Sequence, residues 1–319
     1  MMAPRERIAG LTLPVLAAPM FLVSGPDLVV ACCRSGIIGS FPTLNIRSSA
    51  EFGEWLDRIE GELARDPGAY GGLYGVNLVV HSSNTRLEAD LALIEKHRVP
   101  LVITSAGSPR EIARIVHGYG GMIFHDVTTI DFAKRAIAAG VDGVILICAG
   151  AGGHTGHYNP FSFVAQVRQF YDGIIILAGG IGDGRSIRAA EILGADLVYM
   201  GTRFIPSAES MAADAYKEML VTSQVSDLIG TRAFSGITAS MLKPSIVANG
   251  LDPDNLPDKE RIDFMADFNH ETKAWRDIWS AGQGVGSIDE VEPLARIVAK
   301  LRAEYYVALG ELDAKVWRI

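Results

Sequence analysis

Short apolar runs alternate with longer amphipathic segments along residues 1–204 of the chain. Such runs are typical of parallel strands buried on both faces, and a 3.6-residue apolar period is typical of the helices that cover them. Eight strands are predicted, at Val15–Pro19, Ile37–Ser40, Leu73–Val79, Leu101–Thr104, Met122–His125, Val141–Ile147, Ile174–Ala178 and Asp196–Met200. Helices are predicted at Pro26–Arg34, Ala50–Ala64, Arg86–Lys96, Pro109–His117, Ile130–Ala139, Pro160–Tyr171 and Arg185–Leu193.

The strict alternation of these elements indicates an α/β fold. An open doubly wound sheet usually has fewer strands, so eight strands favour a closed (β/α)8 TIM barrel. We therefore expect a barrel over residues 1–204, a C-terminal extension over 205–290 that caps the active-site face, and a helix in 291–319 that packs back on the barrel.

The extension is less regular than the barrel. Ala208–Val221 predicts an amphipathic helix, residues 224–275 show little periodicity, and Ser287–Leu309 is again helical. The sequence supports a structural cap or dimer arm as well as it supports a substrate lid. A homodimer is therefore one of the assemblies that the sequence allows.

Composition narrows the functional classes. A hydrophobic content of 49% and a charged content of 21% are those of a globular protein with a large core. The formal net charge of −8 argues against a nucleic-acid surface, which would need clustered Lys and Arg. Prolines and Asp27 interrupt the apolar stretch Leu11–Cys33, so neither a membrane span nor a signal peptide is expected. The three cysteines have no metal or disulfide spacing, which favours a cytoplasmic protein.

Glycine-rich turns follow the last three predicted strands. They contain Gly152 and Gly153, then Gly179, Gly180 and Gly182, and finally Gly201 with Thr202. Phosphate sites of TIM barrels favour the loops after strands seven and eight, at a helix N-terminus, and glycine lets the backbone approach a ligand. We therefore expect a phosphate-bearing ligand there. A Walker A motif does not occur, and no ribose-binding acid supports a Rossmann interpretation.

His154 is the candidate catalytic residue, because Gly152, Gly153 and Gly156 clear the space around it. An imidazole with an ordinary pKa of ~6.5 can exchange a proton or donate a hydrogen bond to a developing anion. An exposed loop histidine is the alternative, and the position at a strand end favours function. His157 completes an H-x-x-H pattern, but no third ligand is visible, so we expect no metal. His125 either lies beside the cofactor or forms a packed polar pair with Asp126.

Several stretches together resemble the nitronate monooxygenase (2-nitropropane dioxygenase-like) family of FMN-dependent barrels. They are Ala18–Met20, Gly75–Asn77, Ala149–Gly156, Ala178–Gly184, Gly194–Phe204 and Ile278–Gly284, which span nearly the whole chain. The resemblance implies FMN as the cofactor. It places Ala18, Pro19 and Met20 against the isoalloxazine.

The resemblance also assigns the other cofactor contacts. Asn77 would hydrogen-bond the flavin, and Ala281, Gly282 and Gln283 would border its ring. Gly179, Gly180, Gly201 and Thr202 would hold the phosphate, and Gly152, Gly153, Gly182 and His125 complete the cofactor-binding set. Several relatives carry a Lys where this chain has Asp126. A cation there would stabilise a reduced, anionic flavin, and an aspartate would not.

The resemblance implies an oxidoreductase that uses dioxygen to convert a small alkyl nitronate to a carbonyl compound and nitrite. His154 would deprotonate the nitroalkane or hydrogen-bond the nitronate oxygens. An NAD(P)H-dependent FMN reductase acting on an enoyl thioester or a quinone is the first alternative. A phosphate-ligand-binding barrel without catalysis is the second.

Overall fold

The barrel consists of eight parallel strands. The structure is a computed structural model and describes residues 3–65, 73–259 and 273–314. The barrel strands are β1 (Val15–Ala17), β2 (Gly39–Pro42), β3 (Tyr74–Val79), β4 (Leu101–Ser105), β5 (Met122–Val127), β6 (Gly143–Ile147), β8 (Ile174–Ala178) and β9 (Leu197–Met200). β1 pairs with β9 along its length and meets the β2 segment where Leu16 bridges Ile38, so the sheet closes. The predicted eight-stranded α/β barrel is confirmed.

One helix precedes β1, and the others follow strands and cover the barrel. They are α1 (Pro4–Ile8), α2 (Pro26–Arg34), α3 (Ser49–Ala64), α4 (Leu87–Lys96), α5 (Arg110–Tyr119), α6 (Ile130–Ala138), α7 (Pro160–Arg168) and α8 (Gly184–Leu193). Their ends follow local chemistry. The Ser48 side chain caps α3, and Gly194 ends α8 with a φ angle of 106° in the left-handed region.

Side chains alternate between two cores because successive strand residues point to opposite faces. The barrel interior is filled by side chains such as those of Leu16, Ile103, Phe124 and Ile176. The strand residues between these positions point outward and pack between the strands and the helices. The interior is completely buried at its centre. It opens toward the C-terminal strand ends, where the last inward positions are only half-buried. We call these positions the mouth; they are Ser105, Asp126, Ile147 and Tyr199, together with the buried Asn77 of β3.

The extension adds a small antiparallel sheet and further helices. The sheet consists of β7 (Gly153–His154), β10 (Leu228–Thr231) and β11 (Ala239–Leu242), with β11 in the middle. The helices are α9 (Asp214–Thr222), α10 (Lys243–Ala248) and a short turn at Lys273–Arg276. The C-terminal helix, Leu294–Ala314, packs against α8 and α2. Residues 260–272 and 315–319, which belong to the predicted extension and terminal segment, lie outside the described residues.

Two predicted helix starts are wrong for a shared reason. The predicted helices at Ala208 and Ser287 begin instead at Asp214 and Leu294. Between these points Ser207 forms a parallel bridge with Glu292, and the Ala208 N–H donates to the Glu292 carbonyl at 3.1 Å. This bridge joins the two segments before their helices begin. In the part of the chain that the structure describes, no helix has the length and apolar character to cross a membrane.

Candidate active site

A short strand holds the candidate catalytic histidine. The turn after β6 contains Gly150 and Gly153, with φ angles of 91° and 65° that favour glycine. It leads into β7, where Gly153 and His154 pair with Ser240 and Ala239 of β11. The backbone of His154 is therefore fixed by a strand pairing with the extension as well as by the glycine turn.

Two residues from the extension orient the His154 ring. Its Nε2 lies 3.0 Å from Oγ of Ser235, and the Trp275 ring meets it edge-on with centroids 5.3 Å apart. The Ser235 hydroxyl donates to the Ile237 carbonyl at 3.0 Å. Because that hydroxyl has one proton, we assign the proton of the imidazole to Nε2, which donates to Ser235.

The remaining nitrogen of His154 is then a proton acceptor. Nδ1 makes no hydrogen bond to any residue in the described ranges. Burial lowers the pKa of His154 to about 4, because desolvation disfavours the imidazolium. The ring is neutral at physiological pH, with Nδ1 available to a substrate.

His157, the other histidine of the H-x-x-H pattern, is exposed. Among the described residues, two groups have ligand atoms close enough together for a metal ion. They are Asp57, Glu60 and His97, and Asp289, Glu290 and Glu292. Neither group contains His154 or His157.

The glycine turns predicted to bind a phosphate come together in space. The Gly150 carbonyl accepts hydrogen bonds from the N–H of Gly180 at 3.2 Å and of Gln283 at 2.9 Å. The Gly282 N–H donates to Oγ1 of Thr202 at 2.8 Å. Turns that follow β6, β8 and β9 are thus joined to the segment 281–283 from the extension. We call this arrangement the glycine cradle.

Close packing requires glycine at several points of the cradle. A Cβ at Gly152 would lie 2.7 Å from the Gly282 nitrogen, and one at Gly282 would lie 2.7 Å from the Gly150 oxygen. Gly180 differs, because its φ angle is 71° and a Cβ there would meet nothing within 4 Å. The backbone at Gly180 therefore faces open space that a ligand group can approach. Gly179 has a φ angle of 119°.

The N-terminus of α8 is already occupied by carboxylates. Oδ1 of Asp183 accepts from the Ser186 N–H at 2.7 Å, and Oε2 of Glu304 accepts from the Gly184 N–H at 2.8 Å. Gly182 is buried, and its carbonyl accepts from Ser287 at 2.9 Å. The N–H groups of Gly184 and Ser186 at the start of α8 are therefore already bonded to carboxylates and are not free for a phosphate.

The loop after β1 lies beside the cradle. The Ala18 N–H donates to the Met200 carbonyl at 2.8 Å, and a Cβ at Gly201 would lie 3.3 Å from Sδ of Met20. Pro19 lies between Ala18 and Met20 in this loop. The amide of buried Asn45 donates to the Met20 carbonyl at 3.0 Å, which shapes the loop. On the extension side, the Ala281 carbonyl accepts from Oγ of Ser240 at 2.7 Å.

The mouth contains one ionisable carboxyl group. Oδ1 of Asp126 is buried and has no hydrogen-bond partner in the described part of the protein. Burial raises the pKa of Asp126 to about 7. Burial raises the pKa of the Tyr199 phenol, and the nearby Asp126 charge raises it further. Asn77 is within 3.4 Å of the Ser105 hydroxyl.

His125 lies on the opposite face of β5. Strand alternation places Phe124 and Asp126 inward, and His125 outward with Ile123 and Val127. Nδ1 of His125 lies 2.8 Å from Oγ1 of Thr104, and burial lowers its pKa to about 4. Of the sequence-predicted site residues, His125 is not brought to the mouth or to the cradle.

Comparison with known proteins identifies the family of the chain. A family model described as nitronate monooxygenase matches residues 40–304. The chain belongs to the nitronate monooxygenase family. A nitronate monooxygenase of Pseudomonas aeruginosa is 29% identical, covering 93% of this chain and 98% of the relative. The crystal structure of a nitroalkane oxidase from Streptomyces ansochromogenes is 26% identical with a TM-score of 0.80, and the match covers 95% of this chain and 98% of that one.

A third relative acts on a different class of compound. It is the (3aS,4S,5R,7aS)-5-hydroxy-7a-methyl-1-oxo-octahydro-1H-indene-4-carboxyl-CoA dehydrogenase of Rhodococcus jostii, 26% identical over 75% of this chain. The match covers 65% of that relative's length. The nitronate monooxygenase family, to which the chain belongs, is generally flavin-dependent.

Several residues of this nitronate monooxygenase-type site have no motif in the sequence. Ser235 and Trp275 reach His154 from distant segments, so no local spacing reveals them. Tyr199 and the inward direction of Asp126 follow from strand parity. Counting alternate positions from Leu197 and Phe124 would have found both.

Proposed function

We propose that the protein is an FMN-dependent nitronate monooxygenase, which oxidises small alkyl nitronates with dioxygen to a carbonyl compound and nitrite. The observation that carries this proposal is the position of His154, a neutral imidazole with an unpartnered Nδ1 on the turn that builds the glycine cradle. Family membership supports the reaction class.

Each part of the site has a role in that reaction. The bound flavin would supply the redox chemistry, accepting electrons from the nitronate and passing them to dioxygen. The cradle turns at Gly180, Gly201 and Thr202 would hold its phosphate, and Met20 and Asn77 would lie beside its ring. His154 takes a proton from a nitroalkane at Nδ1, and the Ser235 contact keeps that nitrogen free. Trp275 excludes water beside it.

The cofactor is proposed to be FMN rather than FAD. One glycine cradle suits one phosphate, and the sequence has no second, Rossmann-like phosphate fingerprint. Extraction of the purified protein followed by chromatography of the released flavin tests this. FAD as the sole bound flavin would contradict the proposal.

The second candidate is an NAD(P)H-dependent reductase of a thioester. The Rhodococcus relative, a dehydrogenase, supports the substrate class, because the compound in its name is a CoA thioester. Anaerobic mixing with NADH, NADPH or an alkyl nitronate separates the two functions. Bleaching of the flavin by the nitronate, with nitrite formed on adding dioxygen, is the expected result. Rapid bleaching by a nicotinamide cofactor without nitronate turnover would support the reductase instead.

A cytoplasmic location is part of the proposal. All three cysteines are buried free thiols, which suits a reducing compartment.

A further inference from the structure

The mouth holds a carboxyl group that the proposed reaction does not use. Asp126 is the last inward residue of β5, and its Oδ1 is buried without a partner among the described residues. Buried polar atoms in proteins are nearly always hydrogen-bonded. An orphaned carboxylate oxygen at the opening of a ligand site therefore points to a proton or a ligand donor that completes it.

The neighbours of Asp126 do not supply a counter-charge. Inward-facing Ser105 of β4 and Ile147 of β6 are uncharged, and the titratable group facing it from β9 is the Tyr199 phenol. His125 is adjacent in sequence but points to the outer face of the barrel. Within the described ranges, no Lys, Arg or His forms an ion pair with Asp126.

An uncompensated carboxylate responds strongly to a new negative charge. Two like charges in a poorly solvated site repel each other, and the carboxylate relieves the repulsion by binding a proton. Two-electron reduction of a flavin to its anionic form places such a charge over the mouth. Burial has already brought the pKa of Asp126 to about 7, so a small further rise protonates it at physiological pH.

We propose that Asp126 takes up a proton from solvent when the flavin of this protein is reduced. This inference rests on the proposed function, because it requires a flavin at the mouth. The electrons come from the substrate or from a chemical reductant, and the flavin binds its own proton. At Asp126 a single O–H bond forms and none breaks. Each reduced flavin thus removes up to one more proton from solution than the flavin alone requires.

The test measures the flavin midpoint potential as a function of pH in the wild type and in Asp126→Asn. The amide keeps the shape of the side chain and cannot titrate. Above pH about 7 the wild type should take up more protons per two electrons than Asp126→Asn does. The difference should approach one proton at pH values between the pKa of Asp126 in the oxidised protein and its higher pKa in the reduced protein. Asp131→Asn, an exposed position on α6, is the matched control for net charge and should behave as the wild type.

Equal proton uptake in the wild type and Asp126→Asn would overturn the inference. If Asp126→Asn does not fold, Asp126→Ser provides a smaller neutral side chain. Photoreduction of the wild type in a solution that contains a pH indicator also measures the proton uptake directly. An uptake no larger than the flavin itself requires contradicts the proposal. Flavin content and nitronate turnover are measured first. A flavin-loaded protein that does not oxidise nitronates contradicts the proposed function and leaves the proton count to decide the role of Asp126.

Discussion

At the scale of single residues, His154 and His157 differ in their exposure to solvent and in their side-chain contacts. His154 is oriented by Ser235 and Trp275, whereas His157 is exposed. We expect His154→Ala to retain flavin and to lose about 10²–10⁴-fold in kcat/KM with a nitroalkane, the usual loss when a general base is removed. His157→Ala should be nearly neutral. Steady-state kinetics after measuring flavin content check both variants.

The choice of substrate separates two roles of His154. If the residue only removes a proton, a preformed nitronate should restore much of the lost activity. If its ring binds the anion, the nitronate should not. A fully active His154→Ala enzyme, or greater damage in His157→Ala, would show that the catalytic histidine is another residue.

The lowered pKa of His154 predicts that kcat/KM is retained to an unusually low pH. Desolvation lowers this pKa to about 4 from the ordinary value of about 6.5. A base with a lowered pKa stays unprotonated in more acidic solution, so kcat/KM for a neutral nitroalkane should hold as pH falls through 6.5 and decline only near 4. The measurement is kcat/KM against pH, with flavin retention followed at each point. A decline centred near 6.5 would mean that the imidazole is solvated in the working enzyme.

At the scale of elements, the glycine turns should bind the phosphate through backbone groups, and Gly180 offers a clean test. Its φ angle of 71° disfavours most side chains, but Asn and Asp tolerate that region better than other residues. Gly180→Asn and Gly180→Asp are nearly the same in size and differ in charge. The aspartate should weaken FMN binding at least tenfold more than the asparagine does, about 1.4 kcal/mol, because it repels the phosphate.

Fluorescence titration of the flavin-free protein measures this difference. Flavin fluorescence is followed for both Gly180 variants at matched protein concentration, with circular dichroism to verify the fold. Equal affinities in the two folded variants would mean that the turn at Gly180 serves the architecture and not the phosphate.

The elements divide into those that local sequence predicts and those that it does not. The barrel strands were predictable because each is a short apolar run with a turn at its end, and the structure reproduces all eight. β10 and β11 were missed. Each has four residues, and the pairing of β11 with both β10 and β7 supplies the order that so short a segment lacks by itself.

The candidate site divides in the same way. His154 and the glycines could be found from spacing, because the turn that exposes them is local in the chain. Ser235 and Trp275 could not, since only the folded extension brings them to the imidazole. The outward direction of His125 follows from strand alternation, because Met122 and Phe124 on either side of Ile123 lie in the barrel interior and His125 has the opposite parity.

At the scale of the whole molecule, the C-terminal helix completes the wall of the barrel beside the cradle. It packs against α8, which begins directly after the turn at Gly179–Gly182. Gly184 lies at the contact. A Cβ there would collide with the backbone nitrogen of Tyr305 and the carbonyl oxygen of Leu301, so backbone rather than a flexible side chain would have to move.

We therefore expect Gly184→Ala to destabilise the protein by about 1–3 kcal/mol, the usual cost of overpacking. Gly310→Ala is the matched control on the same C-terminal helix, because a Cβ at Gly310 meets nothing within 4 Å. Alanine is a better helix former than glycine, so this control should stabilise by about 0.5–1 kcal/mol. Both variants add the same methyl group. A loss of stability in Gly184→Ala together with a gain in Gly310→Ala would therefore identify the contact between the C-terminal helix and α8 as the cause. Urea unfolding of both proteins measures the difference. A Gly184→Ala midpoint equal to that of the wild type would mean that the C-terminal helix shifts away from α8 at little cost and is not a fixed part of the barrel wall.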